Sequence, residues 1–308
     1  MDFKPYSLIY LFVTSTILIS FIWFWPDKQV HLVSCDIGQG DAYLVSKGFT
    51  QILVDGGKNE QILNCLDQFI PYWDRQIEIV IASHDDHDHV GGLTEVMKHY
   101  KVNNLIWNGK DSNSQDWKII QLEADQQGTK VRKAYEGNLL INKLKLDFIW
   151  PQKQPSSNVE DNQASIVTRF SYEDFSVMFT GDIDTLTEEK LVSGSVGLDS
   201  TVLKVSHHGS RYATSDKWLE LVNPKIALIG VGKNSYGHPS EDVLSKLNSA
   251  GVTIYRTDKD GSVEISSDGV DWKLEQDGLC TSNTLSNLIY DFSNKFDIKN
   301  IMHLLSTI

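Results

Sequence analysis

The sequence predicts a mixed, layered α/β domain over residues 30–275, preceded by one membrane-spanning helix within residues 1–29. Three observations carry that expectation. Short apolar strand runs alternate with helix-spaced segments, turn-prone glycine clusters join several of the strands, and the chain opens on an apolar stretch with no charge. A hydrophobic content of 41% with 22% charged residues is enough for a sizeable core in a chain of 308 residues.

The first element is the apolar stretch. From Ser7 to Pro26 there is no Asp, Glu, Lys or Arg, and only Thr14-Ser15-Thr16 interrupts Leu8–Val13 and Ile17–Trp25. A helical span needs roughly 20 mostly apolar residues. Trp23, Trp25 and Pro26 close the run as an interfacial aromatic belt would. No Ala-x-Ala cleavage site follows, so the stretch reads as an uncleaved signal anchor that holds the domain outside a cell membrane.

Strands are expected at Val30–Val33, Ala42–Val45 and Gln51–Val54, with the turn Asp36–Asp41 after the first and Asp55-Gly56-Gly57 after the third. Helical spacing of Ile62, Leu66, Phe69 and Ile70 marks Asn59–Tyr72, and Ile77–Ala82 is a buried strand. Residues 101–159 read as polar and irregular, with strand-like pieces at Leu105–Trp107 and Leu144–Ile149. Strands resume at Ser165–Phe170, Phe175–Phe179, Val202–Val205, Lys225–Ile229, Thr253–Tyr255 and Ser262–Ile265. Helices are expected at Thr185–Leu191, Asp216–Val222 and Glu241–Ala250. The tail 276–308 could form an amphipathic helix and carries no readable role.

A net charge of −13 argues against a broad electrostatic grip on nucleic acid, although bound divalent ions would reverse the field locally. Cys35, Cys65 and Cys280 are an odd, unpaired set, expected to be buried small apolar residues and not a disulfide framework or zinc ribbon.

Six of the nine histidines fall in three short segments, each after an expected strand or in a glycine-marked loop. In the first, His84, Asp86, Asp88 and His89 have metal-ligand side chains spaced so that two converge on one ion and two on its neighbour. Gly91-Gly92 then lets the chain turn into a helix. Asp182, directly after a strand and a glycine, is placed to bridge two ions. In His207-His208 adjacent side chains diverge, and His208 is the favoured ligand. In Asn234–Pro239, His238 could bind metal, donate a proton or hold an oxyanion. Asp88 and His238 are the candidates for catalytic roles, and Ser210, Arg211, Asn234 and Tyr236 for substrate contacts, with Lys233 beside them.

These segments resemble the metallo-β-lactamase-like domain of the ComEC family of bacterial DNA-uptake channel proteins. The resemblance is carried by Asp36-Ile37-Gly38-Gln39-Gly40-Asp41, Asp55-Gly56-Gly57, His84-x-Asp86-x-Asp88-His89-x-Gly91-Gly92 and Asn162-x-x-Ser165. It continues through Thr180-Gly181-Asp182, Ser206–Ser210, Asn234-x-Tyr236-Gly237-His238-Pro239 and Tyr255–Asp258. It implies a four-layer αββα sandwich, two divalent metal ions, and hydrolysis of phosphodiesters with DNA as the partner. The channel proteins carry many membrane helices where this chain has one candidate span, so it reads as a stand-alone form. The wider superfamily usually has His at the place of Asp86 and often another near Asn162; the more oxygen-rich set here shifts preference from Zn²⁺ toward Mn²⁺. Two other functions remain open at this point: a small-molecule ester, lactone or lactam hydrolase, and a non-catalytic module that binds DNA or a partner.

Overall fold

The computed structural model describes residues 10, 12–15, 25–194 and 197–275. Contacts divide the chain into two units, and the fold below is that of the larger, Gln29–Gly278, over its described residues. The early strands are β1 (Val30–Ser34), β2 (Tyr43–Lys47), β3 (Thr50–Val54), β4 (Gln76–Ala82), β5 (Lys101–Trp107) and β6 (Lys130–Lys133). Then come β7 (Leu139–Ile141), β8 (Leu144–Trp150), β9 (Val167–Tyr172), β10 (Phe175–Phe179), β11 (Val202–Lys204) and β12 (Ile226–Ile229). The last are β13 (Thr253–Arg256), β14 (Val263–Ser267) and β15 (Trp272–Glu275).

They form an eight-stranded sheet, ordered β15-β14-β1-β2-β3-β4-β5-β6, and a seven-stranded sheet, ordered β13-β12-β11-β10-β9-β8-β7. Side chains alternate across each strand, so each sheet buries two faces. Leu32, Val45, Ile52 and Ile81 of the first sheet meet Phe170, Val177, Phe179 and Leu228 of the second in one central core. The opposite face of the first sheet, with Val33, Leu44, Leu53 and Val80, is covered by α1 (Gln61–Phe69), α3 (Leu93–His99) and α4 (Gln115–Gln127). A one-turn helix α2 (His87–Val90) lies between α1 and α3 in the chain. The outer face of the second sheet, with Met178, Leu203 and Ile229, is covered by α5 (Thr185–Gly194), α6 (Asp216–Val222) and α7 (Glu241–Ser249). A short α8 (Thr257–Asp260) follows β13. The layers are therefore α, β, β and α, as expected. Each fully buried Leu, Ile or Phe stabilises the domain by about 1.5–3 kcal/mol, and such side chains fill all three interlayer spaces.

Strands β3, β4 and β5 run parallel, as do β10, β11, β12 and β13. The loops at the carboxyl ends of these parallel strands carry the candidate functional residues, which is where open α/β sheets place their clefts.

Three expectations need correction or restriction. First, residues 115–127 form a thirteen-residue helix inside the stretch read as irregular. Ser114 caps it by accepting from the Trp117 amide at 3.1 Å, and Gly128 ends it at φ 70°. Its buried side chains are only Trp117, Ile120 and Ala124, so a correct 3–4 spacing is submerged in polar sequence. Second, Cys35 and Cys65 are disulfide-bonded. Cys35 follows β1 and Cys65 lies on α1; both point into the same layer, which sets their Cα atoms 5.9 Å apart, inside bridging range. A separation of thirty residues along the chain hides that proximity. Third, among the described residues no helix is long and apolar enough to cross a membrane. The expected anchor lies mostly outside the described residues, as do the tail 276–308 and Cys280.

Candidate metal centre

Each strand end supplies a distinct part of the site. After β4, Ser83 and His84 leave the sheet and the chain enters α2, whose capping position is Asp86 and whose first turn contains Asp88 and His89. After β10, Gly181 turns the chain at φ 52° so that Asp182 faces inward, and its amide donates to Ser165 Oγ at 3.1 Å. After β11, His207 and His208 adopt φ 48° and 53°, a left-handed conformation that is costly for non-glycine residues. That strained turn aims His208 inward and leaves His207 at the rim. The close approach of the two sheets also requires glycine at Gly230, where a Cβ would stand 2.3 Å from Asp41 Oδ1.

The structure brings all six expected ligands together. His84 Nε2 is 3.5 Å from Asp86 Oδ2, and the His84 and His89 rings lie 4.1 Å apart. Asp182 Oδ2 is 3.3 Å from both His89 Nε2 and His208 Nε2. His208 Nε2 is also 3.5 Å from Asp88 Oδ2. His207 Nε2 is farther from Asp182, at 4.0 Å.

Whether these groups suit a divalent ion is decided by their free atoms. The Nε2 atoms of His84, His89 and His208 are buried and make no hydrogen bond. Their Nδ1 atoms are all engaged: His84 with Ser83 Oγ at 3.0 Å, His89 with Asp55 Oδ2 at 2.8 Å, and His208 with the Gly230 carbonyl at 2.8 Å. An imidazole held at Nδ1 by an acceptor and left bare at Nε2 is the arrangement of a metal ligand braced from behind. A buried polar atom without a partner costs stability unless a ligand satisfies it. The donor set fits divalent metal.

Asp41, Asp55 and Lys204 form the floor beneath these ligands, and none of them was among the expected site residues. Asp41 belongs to a compact set with His89, Asp182 and His208, all within 4.8 Å through one ligand atom each. Its oxygens nevertheless approach the Nδ1 sides of the two rings, at 3.8 Å for His89 and 3.6 Å for His208, and meet Lys204 Nζ at 2.5 Å. Asp41 therefore backs the ligands, whereas Asp86 and Asp88 share the open side with the Nε2 atoms. A lysine ending an otherwise apolar strand is the sequence signal for Lys204. Asp41 and Asp55 stand in glycine-rich turn motifs, where a carboxylate is ordinary and marks nothing by itself.

Burial opposes the charge of Asp182, but His208, His89 and Lys204 outweigh it and hold its carboxyl well below the ordinary range. Burial likewise opposes protonation of His89 and His208, yet Asp182 with Asp55 or Asp41 raises both well above an ordinary histidine. At Asp88 burial is outweighed by His208 and His89, and its pKa falls.

The remaining expected residues stand around the mouth. His238 is half-buried, its ring 5.4 Å from that of His207 and 5.7 Å from that of Tyr236. Burial, with His207 and His208, pushes its pKa down to about 4. Tyr236 is 70% exposed and Arg211 is exposed. Two expected substrate contacts are otherwise engaged. The Asn234 amide donates to the Gly232 and His238 carbonyls and accepts from the Tyr236 and His238 amides, so it braces the loop. Ser210 is buried, its hydroxyl accepting from the Tyr212 amide at 3.3 Å. Asp85 and His87 turn away: Asp85 bonds Ser112 and Ser114, and His87 bonds Asp116.

A family model described as the metallo-beta-lactamase superfamily matches residues 35–233. The chain belongs to that superfamily. Within it, the chain is similar to competence proteins of the ComEC family. It is 28% identical to ComE operon protein 3 of Bacillus subtilis (strain 168) over 291 residues, 86% of this chain and 37% of that protein. It is 29% identical to competence protein ComA of Neisseria gonorrhoeae over 245 residues, 78% of this chain and 32% of that one. The chain thus spans about a third of the length of these relatives. Among solved structures, the metallo-beta-lactamase fold protein YhfI from Bacillus subtilis matches with a TM-score of 0.52 at 14% identity, over 76% of this chain and 99% of that one. That likeness concerns the fold.

Proposed function

We propose that this metallo-beta-lactamase superfamily domain is a two-metal phosphodiesterase acting on DNA. The observation that carries the metal-dependent part is the set of three buried histidine Nε2 atoms that make no hydrogen bond, two of which, on His89 and His208, lie 3.3 Å from Asp182 Oδ2. The two-ion part is supported by the flanks: His84 with Asp86 lies on one side, and Asp88 with His208 on the other. The carboxylate-rich set favours Mn²⁺ over Zn²⁺. The phosphodiester part is supported by similarity to competence proteins and by the Arg211, Tyr236 and His238 mouth.

Two divalent ions in that position would make water nucleophilic near neutral pH and offset charge on phosphoryl oxygens. The chain's own residues do the rest. Asp55, Ser83 and the Gly230 carbonyl fix the imidazole rings, and Asp182 is held with one oxygen toward two of them. His238, neutral above about pH 5 because its pKa is about 4, offers an imidazole N–H to a phosphate oxygen and acts as an anchor, not as a charged acid. Arg211 supplies the positive charge at the mouth.

The localisation we propose is the outer side of a cell membrane, with the apolar stretch Ser7–Pro26 as anchor. The Cys35–Cys65 disulfide supports an oxidising compartment. Protease added to intact cells should digest the domain; complete protection would exclude this placement.

A small-ester, lactone or lactam substrate is favoured by one observation, the net charge of −13. Full-length protein reconstituted with Mn²⁺ or Zn²⁺ and offered plasmid DNA, oligonucleotides and small esters separates the two readings. Metal-dependent DNA cleavage is expected. Turnover of the esters with intact DNA in every metal would overturn the nuclease assignment.

A further inference from the structure

We propose that Lys204 is a positioning residue that selects which oxygen of Asp182 is presented to the metal centre; this rests on the metal-centre reading above. Lys204 ends β11 and is fully buried, an unusual place for an ammonium group. Its Nζ lies 2.5 Å from Asp41 Oδ2, 2.5 Å from the Gly181 carbonyl and 3.0 Å from Asp182 Oδ1. Two of the three ammonium N–H donors go to the Gly181 carbonyl and to Asp182 Oδ1, and the Asp41 carboxylate is the ion-pair partner beside them.

The consequence falls on Asp182. With Oδ1 held by Lys204, only Oδ2 faces the His89 and His208 rings, 3.3 Å from each Nε2. The Ser165 hydroxyl fixes the Asp182 main chain but not the orientation of its carboxylate, whose terminal torsion is intrinsically broad. Without Lys204 the carboxylate could turn and offer both oxygens to one side. With it, Asp182 meets both His89 and His208 through a single atom. Asp41 completes the device by anchoring the ammonium from the opposite side.

A purely electrostatic role predicts the opposite sign. A cation beside a cation site repels the ions it adjoins, so removing an ammonium that served only as a charge would tighten metal binding. Removing a positioning group loosens it, by about 10–100-fold for partners behind the ligands. The sign of the change therefore separates the two roles.

The experiment titrates metal-free, full-length protein with Mn²⁺ by calorimetry and follows the spin spectrum of the bound ions. Unaltered protein is expected to bind two Mn²⁺ with an exchange-coupled signal. Lys204→Met is expected to weaken the looser ion by about 10–100-fold and to give an uncoupled signal. Binding of both ions as tight as, or tighter than, in the unaltered protein overturns the role. Because methionine leaves two buried carboxylates without their cation, the double variant K204M/D41N is measured as well, against D41N alone. Loss of coupling on adding K204M to D41N supports the role, and unchanged coupling overturns it. If unaltered protein binds no Mn²⁺, the metal-centre reading fails and takes this role with it; two ions bound equally by parent and variants defeat Lys204 alone.

Discussion

The floor and the mouth of the cleft are built on opposite principles. On the floor and among the ligands just above it, Asp41, Asp55, Lys204, His89 and His208 are all buried, and most of their polar atoms are paired, the imidazole Nε2 atoms that face the centre being left bare. At the mouth, Arg211 and Tyr236 are exposed, and His238 is half-buried. A paired, dry floor has one geometry and can hold an ion. An open mouth can adapt to a substrate but cannot impose a ligand set. The difference teaches that metal binding and substrate choice are separable here, and substitutions should divide accordingly.

The largest effect is expected at the central oxygen of the candidate ligand set, just above the floor. Asp182→Ala should remove metal-dependent cleavage altogether and lower the bound metal, read by elemental analysis after dialysis. A variant that keeps full metal content and full rate would show that Asp182 is not a ligand. His238→Ala should act from the mouth: kcat falls by about 100–1,000-fold, as on loss of an oxyanion donor, while metal content stays unchanged. Loss of metal from that variant would move His238 to the floor. Asp55→Ala, behind His89, should cost about 10–100-fold in metal affinity while saturating metal restores most of the rate.

The titrating groups give the same division in pH. In metal-free protein the pKa values of His89 and His208 are raised above the ordinary 6.5. Their protonation therefore contributes stability that is fully present below pH 6.5 and is lost as pH rises through the raised values. Metal requires the same nitrogens unprotonated, so binding releases protons and weakens toward acid. The rise in Tm on adding metal should thus grow as pH increases from 6 upward, and a rise that shrinks over that range would contradict the assignment. His238, already neutral above about pH 5, should add no ionisation to the rate profile between pH 5 and 8.

Ligands and floor differ in the same way in how far the amino-acid sequence reveals them. The candidate ligands of the His84–His89 loop are adjacent along the chain, and Asp182 and His208 each follow a recognisable strand, so periodicity and residue type suffice to single them out as candidates. The floor is less legible because its logic is three-dimensional. Lys204 makes sense only beside Asp41, which is 163 positions earlier, and Asp55 only beside His89. Cys35 and Cys65 meet because a strand and a helix share a layer, not because of their spacing. Asn234 has the side chain of a substrate contact, and only the folding of its own loop around it turns that amide into a brace. The helix at Gln115–Gln127 carries its cap and its apolar spacing in the sequence, and the polar residues on its exposed faces obscure both.

The smallest effect is the most discriminating for substrate. Tyr236 exposes 70% of its surface, with its ring tilted by 31° from that of His238. Nothing in the floor depends on it, so Tyr236→Ala should leave metal content and Tm unchanged. An exposed aromatic face beside a phosphate anchor can stack one base, worth about 1–3 kcal/mol when the base is well covered, and less at an open rim. The expected change with oligonucleotides is thus a rise in KM of no more than about tenfold with kcat preserved. A small phosphodiester such as bis(p-nitrophenyl) phosphate contacts the anchor without extending along a strand, and its KM should move less. Equal shifts for both substrates would mean that Tyr236 shapes the anchor itself. No shift for either would remove the mouth's aromatic side from substrate binding and leave selection to Arg211 and the charge of the cleft.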